Sequence, residues 1–447
     1  MEQGTRREFF RRAGTAAGMT AMSLSPHKVM GANDKIVLGL IGAGGRGSLL
    51  IQIMAKEKGV EVKYVCEVDE TRGYGAMQNL EKIQGYAPKR VADMRKVFDD
   101  RDVNAVIITT PEQWHALATV SACQAGKDVY VEKCISMSIW EGRKMVEAAK
   151  MYNRVIQCGT QMRSLPENAA CRDYIQSGKL GKVVHVRVIN QHRGKRWEPE
   201  PDSEAPATLN WDLWLGPAPL VPYSKSRHRD YTFYMDYSGS VLSRSGCHQL
   251  DLARMILGDP PHPKSVYAVG GNRAFHDKRD TPDMALVTFD YGDLVMTMEH
   301  GEYSPYNTRI ISQRNVAYGD EFPFWLQAVE RIEIYGTERM MLFGAHGGGW
   351  QVFEQGGKIV DQHPGFWDQK PHSLNFLDCV RTRKKTNADI ENTHRSTVLA
   401  HLSHCAMRAG NKHLLFDGET ETFTNPTAAN QLLRNSHRKP YAIPDRV

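Results

Sequence analysis

Residues 35–47 read Lys35-Ile36-Val37-Leu38-Gly39-Leu40-Ile41-Gly42-Ala43-Gly44-Gly45-Arg46-Gly47, and this stretch decides the fold. The run 35–41 is short, apolar and of strand type. It leads directly into a G-x-G-x-x-G at Gly42, Gly44 and Gly47, and residues 48–54 (Ser-Leu-Leu-Ile-Gln-Ile-Met) read as a helix. Strand, glycine turn and helix in that order make a dinucleotide site. Gly42 allows the tight turn, Gly44 the close approach of backbone to pyrophosphate, and Gly47 close packing of helix on strand. The helix N-terminus offers unpaired N–H groups to the phosphates, so Gly45 and Arg46 join the expected cofactor contacts.

A second strand, 61–66, ends at Glu67, twenty residues after Gly47. There the fingerprint expects an acid that bonds the adenosine ribose hydroxyls. A carboxylate repels a 2′-phosphate, so NAD is expected over NADP. Asp69 is a competing acid, and Arg72 works against the preference. The chain continues with a strand at 105–111, a helix over 112–125 stopped by Gly126, a strand at 128–131, a helix over 139–151 and a strand at 155–158. Alternation at this spacing predicts a doubly wound parallel sheet of the Rossmann type.

Composition narrows the class. With 447 residues, 41% hydrophobic and 24% charged, the chain is long enough for two or three folded domains and is not of disordered type. Lys plus Arg number 57 against 51 Asp plus Glu, and residues 1–30 carry +3 of the net +6. The remainder is too nearly neutral for an electrostatic nucleic-acid binder. Eight cysteines lie far apart with no C-x-x-C, which excludes a zinc ribbon and a disulfide-stapled miniprotein. The leader, Thr5-Arg6-Arg7-Glu8-Phe9-Phe10-Arg11 followed by a mild apolar stretch, resembles a twin-arginine export signal. A periplasmic or otherwise exported protein is therefore expected, with no stable membrane span.

Further motifs make a family resemblance specific. They are Thr110-Pro111-Glu112-Gln113-Trp114-His115, Val131-Glu132-Lys133-Cys134, Gly159-Thr160-Gln161, Trp214-Leu215-Gly216-Pro217 and Gly246-Cys247-His248. With the glycine turn, they resemble the Gfo/Idh/MocA oxidoreductases from Asn33 onward. The resemblance implies a fold of class α/β, in which an N-terminal Rossmann sheet is followed by a C-terminal α+β domain with an open-faced mixed sheet. The expected division is a signal at 1–31, the NAD-binding domain at 32–165, a substrate and oligomerisation domain at 166–425, and a tail at 426–447. Segments 183–190, 265–270, 284–289, 294–300 and 331–335 suit the second sheet. A homo-oligomer, dimer or tetramer, is implied through the bare sheet face. Thr110, Pro111, His115 and Glu132 are implied cofactor neighbours.

The resemblance also implies the chemistry. Lys133, in the usual Glu-Lys-Pro position, would polarise a substrate hydroxyl and stabilise developing alkoxide as hydride leaves. His248, as neutral imidazole, would take the hydroxyl proton. Two departures stand beside them. Cys134 replaces the usual proline, either as an inert thiol or as a nucleophile. Arg244 occupies the place, four residues before the histidine, where many members carry Asp on the same helix face. A guanidinium there is expected to depress the His248 pKa and to offer a fork for a substrate anion, or else to turn outward to an acid. Gln161, Arg163, His192, Tyr237 and Asp251 are further candidates for substrate contact, Asp251 also for orienting the ring. His394, His401, His404 and Cys405 raise a metal reading, but no metal site is expected because they match no family metal motif. The reaction expected is oxidation of a secondary hydroxyl of a sugar, glycoside or polyol with tightly retained NAD. The alternative is redox-neutral glycoside cleavage or elimination through a 3-keto intermediate, as in glycoside hydrolase family 109, which the leader and Gly159-Thr160-Gln161 also resemble. A non-catalytic dinucleotide-binding protein is the third reading.

Overall fold

The computed structural model describes residues 35–303, 321–323 and 325–447. The expected signal at 1–31 lies outside them. Strands β1 (Ile36–Ile41), β2 (Val60–Cys66), β3 (Lys89–Val91), β4 (Ala105–Ile108), β5 (Asp128–Val131) and β6 (Ile156–Cys158) form one parallel sheet in the order β3-β2-β1-β4-β5-β6. Every residue of β4 and β5 is buried, as strands covered by helices on both faces must be. The strand order reverses between β1 and β4, and ligands of such sheets bind in the crevice outside the carboxyl ends at that point.

Two details differ from the sequence reading. The strand expected at 105–111 stops at Ile108, and the helix expected at 112–125 opens as a 3-10 turn, Glu112–Trp114, before His115–Gln124. Pro111, extended at ψ 156°, bends the chain between them. The edge strand β3, with its exposed Lys89, has too little apolar pattern to be seen in sequence.

The second sheet has ten strands. They are β7 (Val183–Gln191), β8 (Ser265–Gly271), β9 (Met284–Asp290), β10 (Val295–Gly301), β11 (Glu330–Gly336), β12 (Met340–Gly344), β13 (Gly349–Phe353), β14 (Ile359–His363), β15 (His413–Asp417) and β16 (Thr422–Asn425). Their order is β14-β13-β12-β11-β7-β10-β9-β8-β15-β16, and the β7–β10 pair is parallel in an otherwise antiparallel sheet. Val186 and Val188 of β7 are buried toward the helix Gly246–Ile256, and the helix Ile390–Arg408 packs on β8. The alternate residues form a bare face, where Arg187 bonds Glu299 at 2.6 Å and Glu333 at 3.2 Å. Tyr267 and Leu286 stand 44% and 47% exposed on it. The chain returns to the parallel sheet after crossing the second one: Ala388, Ile390, Ile443 and Val447 pack into its core.

Candidate active site

The glycine turn is built by exclusion. Gly42 sits at φ +87°, and a Cβ there would lie 2.9 Å from the Thr109 backbone. At Gly47 a Cβ would come within 2.2 Å of the Gly42 carbonyl oxygen, so the helix packs this closely only on glycine. Thr109 Oγ1 locks the turn by donating to that same carbonyl at 2.6 Å. Gly44 and Gly45 have nothing within 4 Å of a built Cβ, so their backbone lies open to the crevice. The helix Gly45–Ala55 has no side-chain cap and no acid in its first turn, which leaves its positive end to a ligand.

A cleft of about 260 Å³ lies over this turn, lined among others by Gly42, Gly44, Gly45, Arg46, Glu67 and Arg72. Thr110 and Pro111 line its far side. Glu67, at the end of β2, accepts from the backbone N–H of Ala43 at 2.9 Å and of Asp69 at 3.0 Å. Asp69 is buried and turned to Thr71 at 2.6 Å, so of the two acids it is Glu67 that faces the cleft.

A second cavity, of about 520 Å³, shares Arg46, Thr109, Thr110 and Tyr231 with the cleft. It brings together Lys133, His248, Gln161, Arg244, Glu132 and His115, and adds Glu112, His346 and Trp367. Lys133 follows β5, and the Lys133–Cys134 peptide is cis. Glu132 does not pair with the Lys133 ammonium among the described residues. Its carboxylate accepts from Arg46 Nε at 2.7 Å and Gln161 Nε2 at 3.1 Å. Burial alone would raise the Glu132 pKa, but Arg46 and Lys133 outweigh it and hold the group ionised below the usual range. Arg46 is thereby a strut, also bonded to Gln369, and lies between cleft and cavity. His115 is a strut as well. Its Nδ1 lies 2.6 Å from the Cys134 carbonyl and its Nε2 2.8 Å from that of Thr110, tying the two loops together.

His248 lies in the helix Gly246–Ile256, and its Nδ1 has no hydrogen-bond partner among the described residues. Burial drives its pKa well below 6.5, and Lys133 and His346 push in the same direction. That corrects the expectation for Arg244, which is not among the main causes. The helix itself also differs: Ser240–Arg244 is a separate short helix, and the chain breaks at Ser245. Arg244 and His248 nevertheless line one cavity. Cys134 is the inert alternative, because the neighbouring Cys247 thiol and full burial together raise its free thiol well above the ordinary cysteine value.

Four expected substrate contacts fall elsewhere. Arg163 Nε bonds both oxygens of Asp251 (2.9 and 2.8 Å) and its guanidinium also bonds Asp259 (3.0 and 2.7 Å). Arg163 and Asp251 form a buried ion pair outside the cavity, and Asp251 is committed there rather than to His248. Tyr237 is fully buried edge-on to Trp214 at 5.0 Å. His192 reaches Asn190 at 3.1 Å and Glu330 at 3.6 Å, behind the cavity wall. On the helix Ile390–Arg408, His394, His401 and His404 bond Glu421, Ser136 and Ser243 respectively.

Sequence reasoning missed Glu330, His346 and Trp367. Glu330, fully buried on β11, accepts from Ser245 Oγ at 2.6 Å, and its Oε2 lies 2.9 Å from His346 Nδ1. The His346 ring stands edge-on to His248, centroids 5.5 Å apart, and 5.0 Å from Trp367. The carboxylate absent at position 244 thus enters from another strand, through a second imidazole. The one local sign was Gly344-Ala345-His346-Gly347-Gly348-Gly349, a histidine within a glycine turn between strands.

A glycine-turn crevice joined to a cavity that carries Lys133 and His248 defines an NAD-binding oxidoreductase. Comparison with known proteins agrees. The oxidoreductase-family model for the NAD-binding Rossmann fold matches residues 36–160, and that for the C-terminal α/β domain matches 167–317 and 338–443. The chain belongs to the Gfo/Idh/MocA family. The scyllo-inositol 2-dehydrogenase (NAD(+)) of Bacillus subtilis (strain 168) is 24% identical over 72% of this chain and 74% of its own length. A glycosyl hydrolase family 109 protein of Shewanella pealeana is 26% identical over 41% of this chain and 40% of that protein. In fold, the chain is similar to levoglucosan dehydrogenase in complex with NADH and levoglucosan, with TM-score 0.63 and 17% identity over 86% of this chain and 99% of the other. Among the described residues no helix is long and apolar enough to cross a membrane.

Proposed function

We propose that this oxidoreductase removes hydride from a secondary hydroxyl of a sugar, glycoside or polyol and passes it to NAD. One observation carries the reading: Lys133 and His248 line one cavity, and that cavity shares four wall residues with the nucleotide cleft. The Lys133 ammonium bonds the reacting oxygen and stabilises alkoxide character as hydride departs. His248, kept neutral by burial, accepts the hydroxyl proton. NAD supplies the hydride acceptor when bound. Glu67 at the ribose end supports NAD over NADP through repulsion of a 2′-phosphate, with Arg72 working against it. The twin-arginine-like leader supports export of the folded protein with NAD held, and a retained cofactor has to be regenerated on the enzyme. The bare sheet face with Tyr267 and Leu286 supports a homo-oligomer. The test is to denature the purified protein, identify the released nucleotide, and screen glycosides and polyols for turnover.

The redox-neutral reading is favoured by one feature, the second imidazole. After oxidation next to an acidic C–H, cleavage by elimination needs a further base. His346, with Glu330 beside its Nδ1, offers one in the same cavity. Absorbance of reduced nicotinamide separates the two: a hydrolase or lyase releases aglycone with no net change, whereas a dehydrogenase accumulates NADH or a reduced co-substrate.

A further inference from the structure

Arg244 is the cavity's unexplained charge. The residue is half-buried in the wall that holds Lys133 and His248, and it does not line the nucleotide cleft. Among the described residues it has neither an ion pair nor a side-chain hydrogen bond. The acids around it are engaged elsewhere: Glu302, the carboxylate that feels the Arg244 charge, is held by Arg279 Nη1 at 2.9 Å. Glu132 is held by Arg46 and Gln161, and Glu112 Oε2 faces the Gly239 N–H at 3.4 Å. The residue is also held in place from both sides. Ser243 Oγ bonds His404 Nε2 at 3.1 Å, and Ser245 Oγ donates to the buried Glu330 at 2.6 Å. The residue lines the cavity, where Lys133 adds a cation and Arg46 another, the latter already held by Glu132. An arginine so placed has lost part of its hydration without gaining a partner, which the fold tolerates when a ligand supplies the anion.

We propose that Arg244 selects a sugar bearing an oxyanion, a carboxylate or a sulfate ester, and holds it while Lys133 and His248 act on a neighbouring hydroxyl. The proposal rests on the reading of this cavity as a sugar site. The planar guanidinium fork matches either anion with two hydrogen bonds. It leaves Lys133 free for the reacting oxygen, because the two cations then serve different substrate groups.

The test uses the full chain loaded with NAD and a panel of methyl hexosides (gluco, galacto, manno), each with its uronide and its 6-sulfate. Binding is measured by calorimetry, separately from turnover. At least one uronide or sulfate is expected to bind about tenfold or more tighter than its neutral partner, and the better of the two identifies the anion. Arg244→Gln is expected to erase that ratio while NAD affinity and melting temperature hold. Arg244→Lys, which keeps the charge and loses the fork, is expected to retain part of it. Equal binding of anionic and neutral partners by the wild type, an unchanged ratio in either variant, or no binding of any uronide or sulfate overturns the proposal. If an anionic sugar binds through Arg244 yet is neither oxidised nor cleaved, anion selection by Arg244 stands, while the action of Lys133 and His248 on that sugar fails together with the proposed reading of the cavity.

Discussion

The nucleotide cleft and the substrate cavity share a wall but are made in different ways. The cleft is mostly backbone. Its turn exists because side chains are missing at Gly42 and Gly47, and its open floor because they are missing at Gly44 and Gly45. The cavity is made of side chains from separate segments, after β5 (Lys133), in two successive helices (Arg244, His248) and in the turn before β13 (His346). A backbone site tolerates little substitution and accepts one kind of ligand. A side-chain site can change its substrate one residue at a time, and Arg244, which lines the cavity, stands at such a position. The two regions should therefore fail separately under mutation.

The largest separation is expected from Lys133→Met. Turnover should fall by ~10² or more, the usual cost of losing a group that stabilises charge in the transition state, with NAD affinity and melting temperature near wild type. Lys133 is also among the charges that depress the His248 pKa, so the residual activity should show an acid limb at higher pH than the wild type. Near-normal turnover would reduce Lys133 to a structural cation, and concurrent loss of NAD would mean that cleft and cavity do not separate.

The complementary break is on the backbone side. Gly47→Ala places a Cβ 2.2 Å from a carbonyl oxygen, and either the helix shifts or the turn opens. Both stability and NAD affinity should drop, the latter by about tenfold or more. Gly44→Ala meets nothing within 4 Å, so the nucleotide-free protein should melt as wild type does while NAD binding weakens. Calorimetric titration beside thermal melts distinguishes the two. If Gly44→Ala binds NAD normally, the pyrophosphate does not approach at that residue.

Legibility in the sequence follows the same division. Strands 36–41 and 128–131, the glycine turn and Glu67 can be read because each signal is local: an apolar run, a spacing, an acid at a fixed distance. The same holds for the second-sheet strands 183–190, 265–270 and 284–289. The hairpins β12 to β14 escape notice, because five-residue strands separated by glycines carry little periodicity. Arg163 and Asp251 illustrate the opposite error. Polar residues beside a predicted site look like ligand contacts, and only tertiary structure shows that they satisfy one another. Glu330 and His346 are invisible for a related reason, since their function arises from the register of β11 against β7 and from a turn far along the chain.

Glu67→Ser should have a smaller effect, because Glu67 stands at the border of the two kinds of site. The carboxylate bonds two backbone N–H groups and also faces the cleft, so it belongs to both modes of construction. Removal should weaken NAD and narrow the preference over NADP, since Arg72, which pairs with Asp69 at 3.5 Å, also lines the cleft and attracts a 2′-phosphate once the repelling carboxylate is gone. Unchanged affinity for both dinucleotides would shift the ribose contact to Asp69.

The smallest expected effect concerns the protein as a whole, and it comes from histidines rather than from carboxylates. Burial lowers His228, His372 and His404 to about 4 and His300 and His401 to about 3. An unfolded histidine titrates near ~6.5, so between that pH and the folded values the unfolded chain binds more protons than the native one. Stability is then complete above about pH 6.5 and declines as the pH falls toward 4. Glu302, pushed up to about 7, Asp280, pushed up to about 6, and Glu167, also raised, all by burial, work in the opposite sense, but they are three groups against these five. The melting temperature should therefore drop steadily from pH 7.5 to 5, with net proton uptake on unfolding. His404→Gln, which keeps a hydrogen-bonding group opposite Ser243, should flatten that slope even if it lowers the melting temperature itself. A melting temperature independent of pH across this range would show that the buried imidazoles are already charged in the native protein or open to water.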